Sequence, residues 1–182
     1  MRLAAESRFD ASERCCQDSG RMSDAFTVRE AVFADAETIA EYNLRLAWET
    51  EHRQLADSVV RAGVEALLRD RTKGEYFVAE SLENGVDGSV KERRVIGQCC
   101  ITYEWSDWRN GNMWWFQSVY VAADWRTRGV FRALFQHVHR SAVSQGVVAL
   151  RLYVEEDNLN AQEVYRRRGM VRTAYRVFER EL

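Results

Sequence analysis

The stretch Val119-Tyr120-Val121-Ala122-Ala123-Asp124-Trp125-Arg126-Thr127-Arg128-Gly129-Val130-Phe131-Arg132 decides how this chain is read. Its first residues end a strand. An arginine-rich loop follows, and a helix begins near Gly129. From there Val130, Leu134, Val138 and Ala142 recur at i, i+4, i+8 and i+12, the spacing of one helix face. The first N–H groups of a helix have no partner inside it, and the helix dipole favours negative charge there. Between Trp125 and Arg140 stand four arginines and no carboxylate. The whole chain balances 26 Lys and Arg against 28 Asp and Glu, a net charge of −2. Against that background the local excess has two readings, a phosphate-bearing ligand or a basic helix face in water.

Toward the C-terminus, Gly146 is a fitting stop for this helix. Residues 147–154 read as a buried strand. A shorter helix covers about Leu159 to Arg168 and is closed by Gly169, and a last strand is predicted over 173–179. Toward the N-terminus, a strand over 113–121 follows the hairpin signal Asn110-Gly111, and a long apolar strand over 94–104 precedes it. Residues 82–93 form a polar loop, and 76–79 a strand. Asp57 opens a helix with Val60, Val64, Leu67 and Leu68 on one face. Asp35 caps another that carries Ala36, Ile39, Tyr42 and Leu46, and Phe26–Arg29 is a short strand. The order β-α-α-β-β-β-α-β-α-β predicts an α/β (α+β) single domain over 25–182, with a βαβ crossover in its second half. Residues 1–24 lack a periodic pattern and read as a flexible extension, with Met22 a second candidate start.

Composition sets outer limits. A chain of 182 residues, 46% hydrophobic and 12% aromatic, is one domain with ample core. No window approaches the ~18 apolar residues of a membrane helix, so no membrane partner is expected. The charge balance argues against nucleic acid. The cysteines form two adjacent pairs, Cys15-Cys16 and Cys99-Cys100. Neither has metal spacing, so no metal site is expected, and the second pair reads as buried thiols. With no Asn-x-Ser/Thr site and no secretory apolar segment, the expected compartment is the cytoplasm. There is no proline anywhere, which excludes proline-rich linkers and cis-proline turns.

Arg126-x-x-Gly129, set between a V-Y-V strand and an amphipathic helix, resembles the acyl-CoA signature Arg/Gln-x-x-Gly-x-Gly/Ala of the GCN5-related N-acetyltransferases (GNAT). Asn158-Leu159-Asn160-Ala161-Gln162-Glu163-Val164-Tyr165, then Gly169-Met170, resembles that family's N-x-x-A-x-x-x-Y-x-x-x-G-[FM] segment. Both lie in the family's order. The resemblance implies a mixed, mostly antiparallel sheet whose central strands splay apart, flanked by helices. It implies acetyl-CoA (coenzyme A) as the donor and an amine as the acceptor. The implied activity is N-acetyl transfer by direct attack on the thioester, in a monomer or homodimer. The alternative is a catalytically weak CoA-binding sensor or interaction module. Carried over by position, Val119, Tyr120 and Val121 would flank the pantetheine arm. Arg126, Thr127, Arg128, Gly129, Val130 and Phe131 would cradle the pyrophosphate. Asn158 would hydrogen-bond the cofactor, and Tyr165 would face its sulfur as general acid.

Three positions depart from the pattern: Phe131 at the last Gly/Ala, Thr127 at a frequent glycine, and Ala123 at a frequent proline. The Phe131 side chain is expected to point away from the phosphates, into the core. The glutamate that histone-type relatives use as base is Gln117 here, which takes no proton. Glu104 at the end of the preceding strand is the substitute candidate, against a plain solvated carboxylate or a water chain. A strand N–H near Val119 could receive the developing oxyanion. Glu49, Glu51 and His52 follow the first helix, where relatives often build the acceptor pocket. Five of the six tryptophans lie between Trp105 and Trp125 and read mainly as packing.

Overall fold

The computed structural model describes residues 26–81 and 93–180. Cys15 and Cys16, the predicted extension and nearly all of the predicted 82–93 loop lie outside the described residues. The strands are β1 (Phe26–Glu30), β2 (Glu75–Ser81), β3 (Val95–Ser106), β4 (Gly111–Val121) and β5 (Ala149–Leu152). The helices are α1 (Ala36–Glu51), α2 (Asp57–Arg69), α3 (Val130–Ser144) and α4 (Leu159–Arg166). The five strands form one sheet in the order β1-β2-β3-β4-β5. The first four pair antiparallel and β5 joins β4 in parallel. The α3 connection between those two is the crossover that a parallel pair requires.

Side chains alternate across the sheet, so each strand serves two helix layers. On one face Tyr42 of α1 packs on Tyr120 of β4 at 4.8 Å between rings, and Asn43 accepts a hydrogen bond from Gln98 of β3. On the other, Phe135 of α3 stacks on Phe116 of β4 and His137 packs on Phe77 of β2. Ile39, Val78, Ile96, Ile101, Leu134 and Val138 are fully buried between these layers. Burying apolar area on this scale is the main favourable contribution to folding. Cys99 and Cys100 are buried free thiols, as expected, and burial pushes both well above the usual thiol range. Among the tryptophans, Trp114 and Trp125 are buried, but Trp105 and Trp108 at the β3–β4 turn are exposed, so packing accounts for only part of the cluster.

Two readings are corrected. Asp35 precedes α1 but makes no side-chain cap to it. Instead it accepts from the Val32 N–H (2.8 Å) and from Arg29, closing the short 3-10 turn Phe33–Asp35. The strand expected over 173–179 joins no ladder among the described residues, and Tyr175, Val177 and Phe178 stay exposed. Alternation says which side of a strand is apolar, not which sheet edge receives it.

Candidate active site

The β4–β5 ladder runs only from Met113↔Ala149 to Phe116↔Leu152, while β4 continues to Val121. The two strands therefore part after Phe116, which is the expected splay. Its local cause lies in β4. Cys99↔Val119 and Ile101↔Phe116 leave Gln117 and Ser118 opposite Cys100 alone, a bulge that bends the strand. Beyond it Ala122 donates its N–H to Ile96 of β3 at 2.9 Å. By strand alternation, the main-chain groups of Val119 and Val121 point the opposite way, into the gap. One of them is already taken: Arg126 Nε donates to the Val121 carbonyl at 3.1 Å.

The loop after β4 closes on a 3-10 turn, Ala123–Trp125, and then reaches α3 through two left-handed residues, Thr127 (φ 64°) and Gly129 (φ 85°). Gly129 suits that conformation, since it has no Cβ to clash. Ala133 donates its N–H to Gly129 O at 3.0 Å, the first turn of α3. The N–H groups of Val130, Phe131 and Arg132 precede it and have no helical acceptor. A Cβ built on Gly129 would meet the Arg132 guanidinium at 3.4 Å, so Arg132 folds back over the helix start. Free N–H groups, dipole and arginine converge there, which fits a pyrophosphate.

Arg126 does something else. Its guanidinium is bonded to Glu49 at the end of α1 and lies 5.5 Å from the Tyr120 ring centre. The Tyr120 hydroxyl donates to the other Glu49 oxygen at 2.8 Å. Burial alone would raise the Glu49 carboxyl, but these two donors outweigh it and hold it below the usual range. Arg126 thus ties the loop to α1, while Arg128 lies over the Trp125 ring and Arg132 stands in the first turn of α3. Arg132 belongs to the arginine cluster but lay outside the expected cradle, and Glu49 was expected near the acceptor pocket rather than at the loop. Local sequence shows Arg132 as the next arginine on the helix start, but nothing local pairs Glu49 with Arg126.

Asn158 caps α4, its side-chain oxygen accepting from the Ala161 N–H at 3.0 Å. Tyr165 stands near the other end of that helix. Its ring meets Phe131 edge-on at 5.7 Å, and burial alone raises its hydroxyl above the ordinary tyrosine range. Phe131 packs against Phe135 and the core. Glu104 lies near the end of β3, the strand beside β4. It pairs across the ladder with Met113, six residues before Val119, and its oxygens accept from Arg151 of β5 and the Trp115 indole. Met113 lies three residues before Phe116, so at ~3.3 Å per residue the Glu104 position is about 10 Å from the point where the strands part. Gln117 donates to Thr102 Oγ1 at 2.8 Å.

Comparison with known proteins agrees with this geometry. A sequence profile of the acetyltransferase (GNAT) family matches residues 38–170. A thialysine N-epsilon-acetyltransferase from Bos taurus is 28% identical over 146 residues, spanning 78% of this chain and 82% of that protein. A solved structure of a possible acetyltransferase from Clostridium difficile 630 superposes with a TM-score of 0.74 at 40% identity, covering 87% of this chain and 98% of that one. AAC(6')-Iy, solved with the bisubstrate analog CoA-S-monomethyl-acetylneamine, shares the fold at 19% identity with a TM-score of 0.64, covering 86% of this chain and 98% of its own. The chain belongs to the GNAT acetyltransferase family. It is an acetyl-CoA-dependent N-acetyltransferase. Among the described residues, no helix is long and apolar enough to cross a membrane.

Proposed function

We propose that the chain acetylates a small primary amine or peptide amine in the cytoplasm, as a monomer or homodimer. The observation that carries this reading is the parting of β4 from β5 after Phe116, which leaves unpaired main chain leading into the α3 start beside Tyr165. Acetyl-CoA supplies the activated acetyl group when bound. Val119 main-chain groups align it, and the Val119 N–H receives charge on the carbonyl oxygen. Gly129, Val130, Phe131 and Arg132 hold the pyrophosphate through N–H groups, with Arg128 and Arg132 adding charge. The neutral amine attacks the carbonyl carbon, the C–S bond breaks, and Tyr165 gives its hydroxyl proton to the sulfur. The raised Tyr165 hydroxyl keeps that proton at neutral pH. The proton leaves the ammonium through water, with Glu104, held by Arg151 and Trp115, as the candidate acceptor.

The test is CoA-thiol release from acetyl-CoA over an amine panel that starts with thialysine, lysine, spermidine and a peptide N-terminus. Turnover of at least one amine is expected. Tyr165→Phe should lower kcat by about 10²-fold while the calorimetric Kd for acetyl-CoA stays within about threefold. Acetyl-CoA binding with no thiol release on any amine would instead make the chain a CoA-binding module.

A further inference from the structure

We propose that Phe131, standing where the GNAT signature has glycine or alanine, is a positioning residue that holds Tyr165 in the reacting site. This rests on the role given to Tyr165 above. The helix that carries Tyr165 is weakly held. It is eight residues long and none of its residues is fully buried, Tyr165 itself being half-buried. Phe131 supplies lateral support from outside it. Its ring lies 5.7 Å from Tyr165 at 73° and 6.1 Å from Phe135, and Phe135 stacks on Phe116 at 5.5 Å and 8°. Phe116 is the last residue of β4 paired with β5. A continuous aromatic row therefore runs from the point where the strands part, through the first turn of α3, to Tyr165. Edge-to-face pairs of this kind have a preferred angle as well as a contact, so the row orients the tyrosine ring as well as covering it. A glycine or alanine at this position would leave α4 without that neighbour. The same turn of α3 offers its N–H groups to the pyrophosphate, so a single residue spaces the phosphate site from the proton donor.

The proposal is tested on the full chain with acetyl-CoA and thialysine, or the fastest amine of the panel. Phe131→Ala should lower kcat about tenfold with the KM for acetyl-CoA changed less than about threefold, and Phe131→Tyr should restore most of it. The alkaline limb of the kcat profile, where the acid loses its proton, should move to lower pH in Phe131→Ala, because the exposed hydroxyl relaxes toward the ordinary tyrosine value of about 10. In a Tyr165→Phe background, Phe131→Ala should cost nothing further. Should Phe131→Ala fail to fold, Phe131→Leu takes its place in each arm. An unchanged kcat and alkaline limb in Phe131→Ala, or an equal loss with and without Tyr165, overturns the proposal. Wild-type activity in Tyr165→Phe alone overturns the role of Tyr165 instead.

Discussion

Among the described residues, Thr127 is the β-branched one held in the left-handed region. It sits at φ 64°, a conformation that suits glycine. Its hydroxyl donates to the Arg126 carbonyl at 2.6 Å, which offsets part of the strain. Left-handed backbone costs a non-glycine residue roughly 1–2 kcal/mol. Thr127→Gly removes that cost and adds up to about 1 kcal/mol of unfolded-chain entropy. The expected net effect is a gain of about 0.5–1 kcal/mol, seen as a Tm about 1–4 °C higher by calorimetry. A lower Tm would show that the hydroxyl bond outweighs the strain. The loop's tight geometry was legible at this scale, since Arg126-x-x-Gly129 and the following helix start are local patterns. The partner of Arg126 was not. Glu49 stands 77 positions away, and only the packing of α1 against β4 brings the two together.

Among the elements, α3 and α4 were readable because their apolar spacing and closing glycines are carried by the sequence itself. Gly146 (φ 69°) and Gly169 (φ 79°) both end helices in the left-handed conformation. The 173–179 segment was misread because a ladder needs a partner, and no alternation names one. Asn158 caps α4, and the cofactor bond proposed for it would use the same side chain. As the cap of a short helix it is worth about 1 kcal/mol on replacement by alanine. Aspartate caps as well and suits the dipole, but it has no side-chain N–H to donate. Asn158→Asp should therefore keep the wild-type Tm within about 2 °C and bind acetyl-CoA more weakly, while Asn158→Ala loses on both counts. Calorimetric Kd values and melting curves separate the two duties. Wild-type affinity in Asn158→Asp would confine Asn158 to the cap.

Over the whole molecule, a charged network ties the first strand to its neighbours. Arg29 of β1 bonds Asp35 before α1 (2.7 Å) and Glu80 of β2 (2.8 Å), and Arg93 bonds the second Glu80 oxygen at 3.3 Å. Asp35 and Glu80 are only 7% and 8% exposed. Burial would raise the Asp35 carboxyl, but Arg29 and the Val32 N–H outweigh it and bring it below the usual range. The Arg29 bond lowers Glu80 against a smaller burial effect. A carboxyl lowered in the folded state stabilises the fold above its unfolded value, about 3.9 for Asp and 4.3 for Glu, and that stability is lost as pH falls through the folded value. The urea midpoint should therefore be flat above about pH 5 and fall below about pH 4. Arg29→Met removes the shared donor and leaves two buried carboxylates, which should cost about 3 kcal/mol at pH 7. Without Arg29, burial is opposed only by the Val32 N–H at Asp35 and by Arg93 at Glu80, so both carboxyls rise from their wild-type positions and protonation relieves part of the strain. Its deficit against the wild type should then shrink as the pH is lowered from 7 toward 4. A deficit that stays constant over that range would mean that Arg29 contributes by packing alone and that the acid sensitivity arises elsewhere.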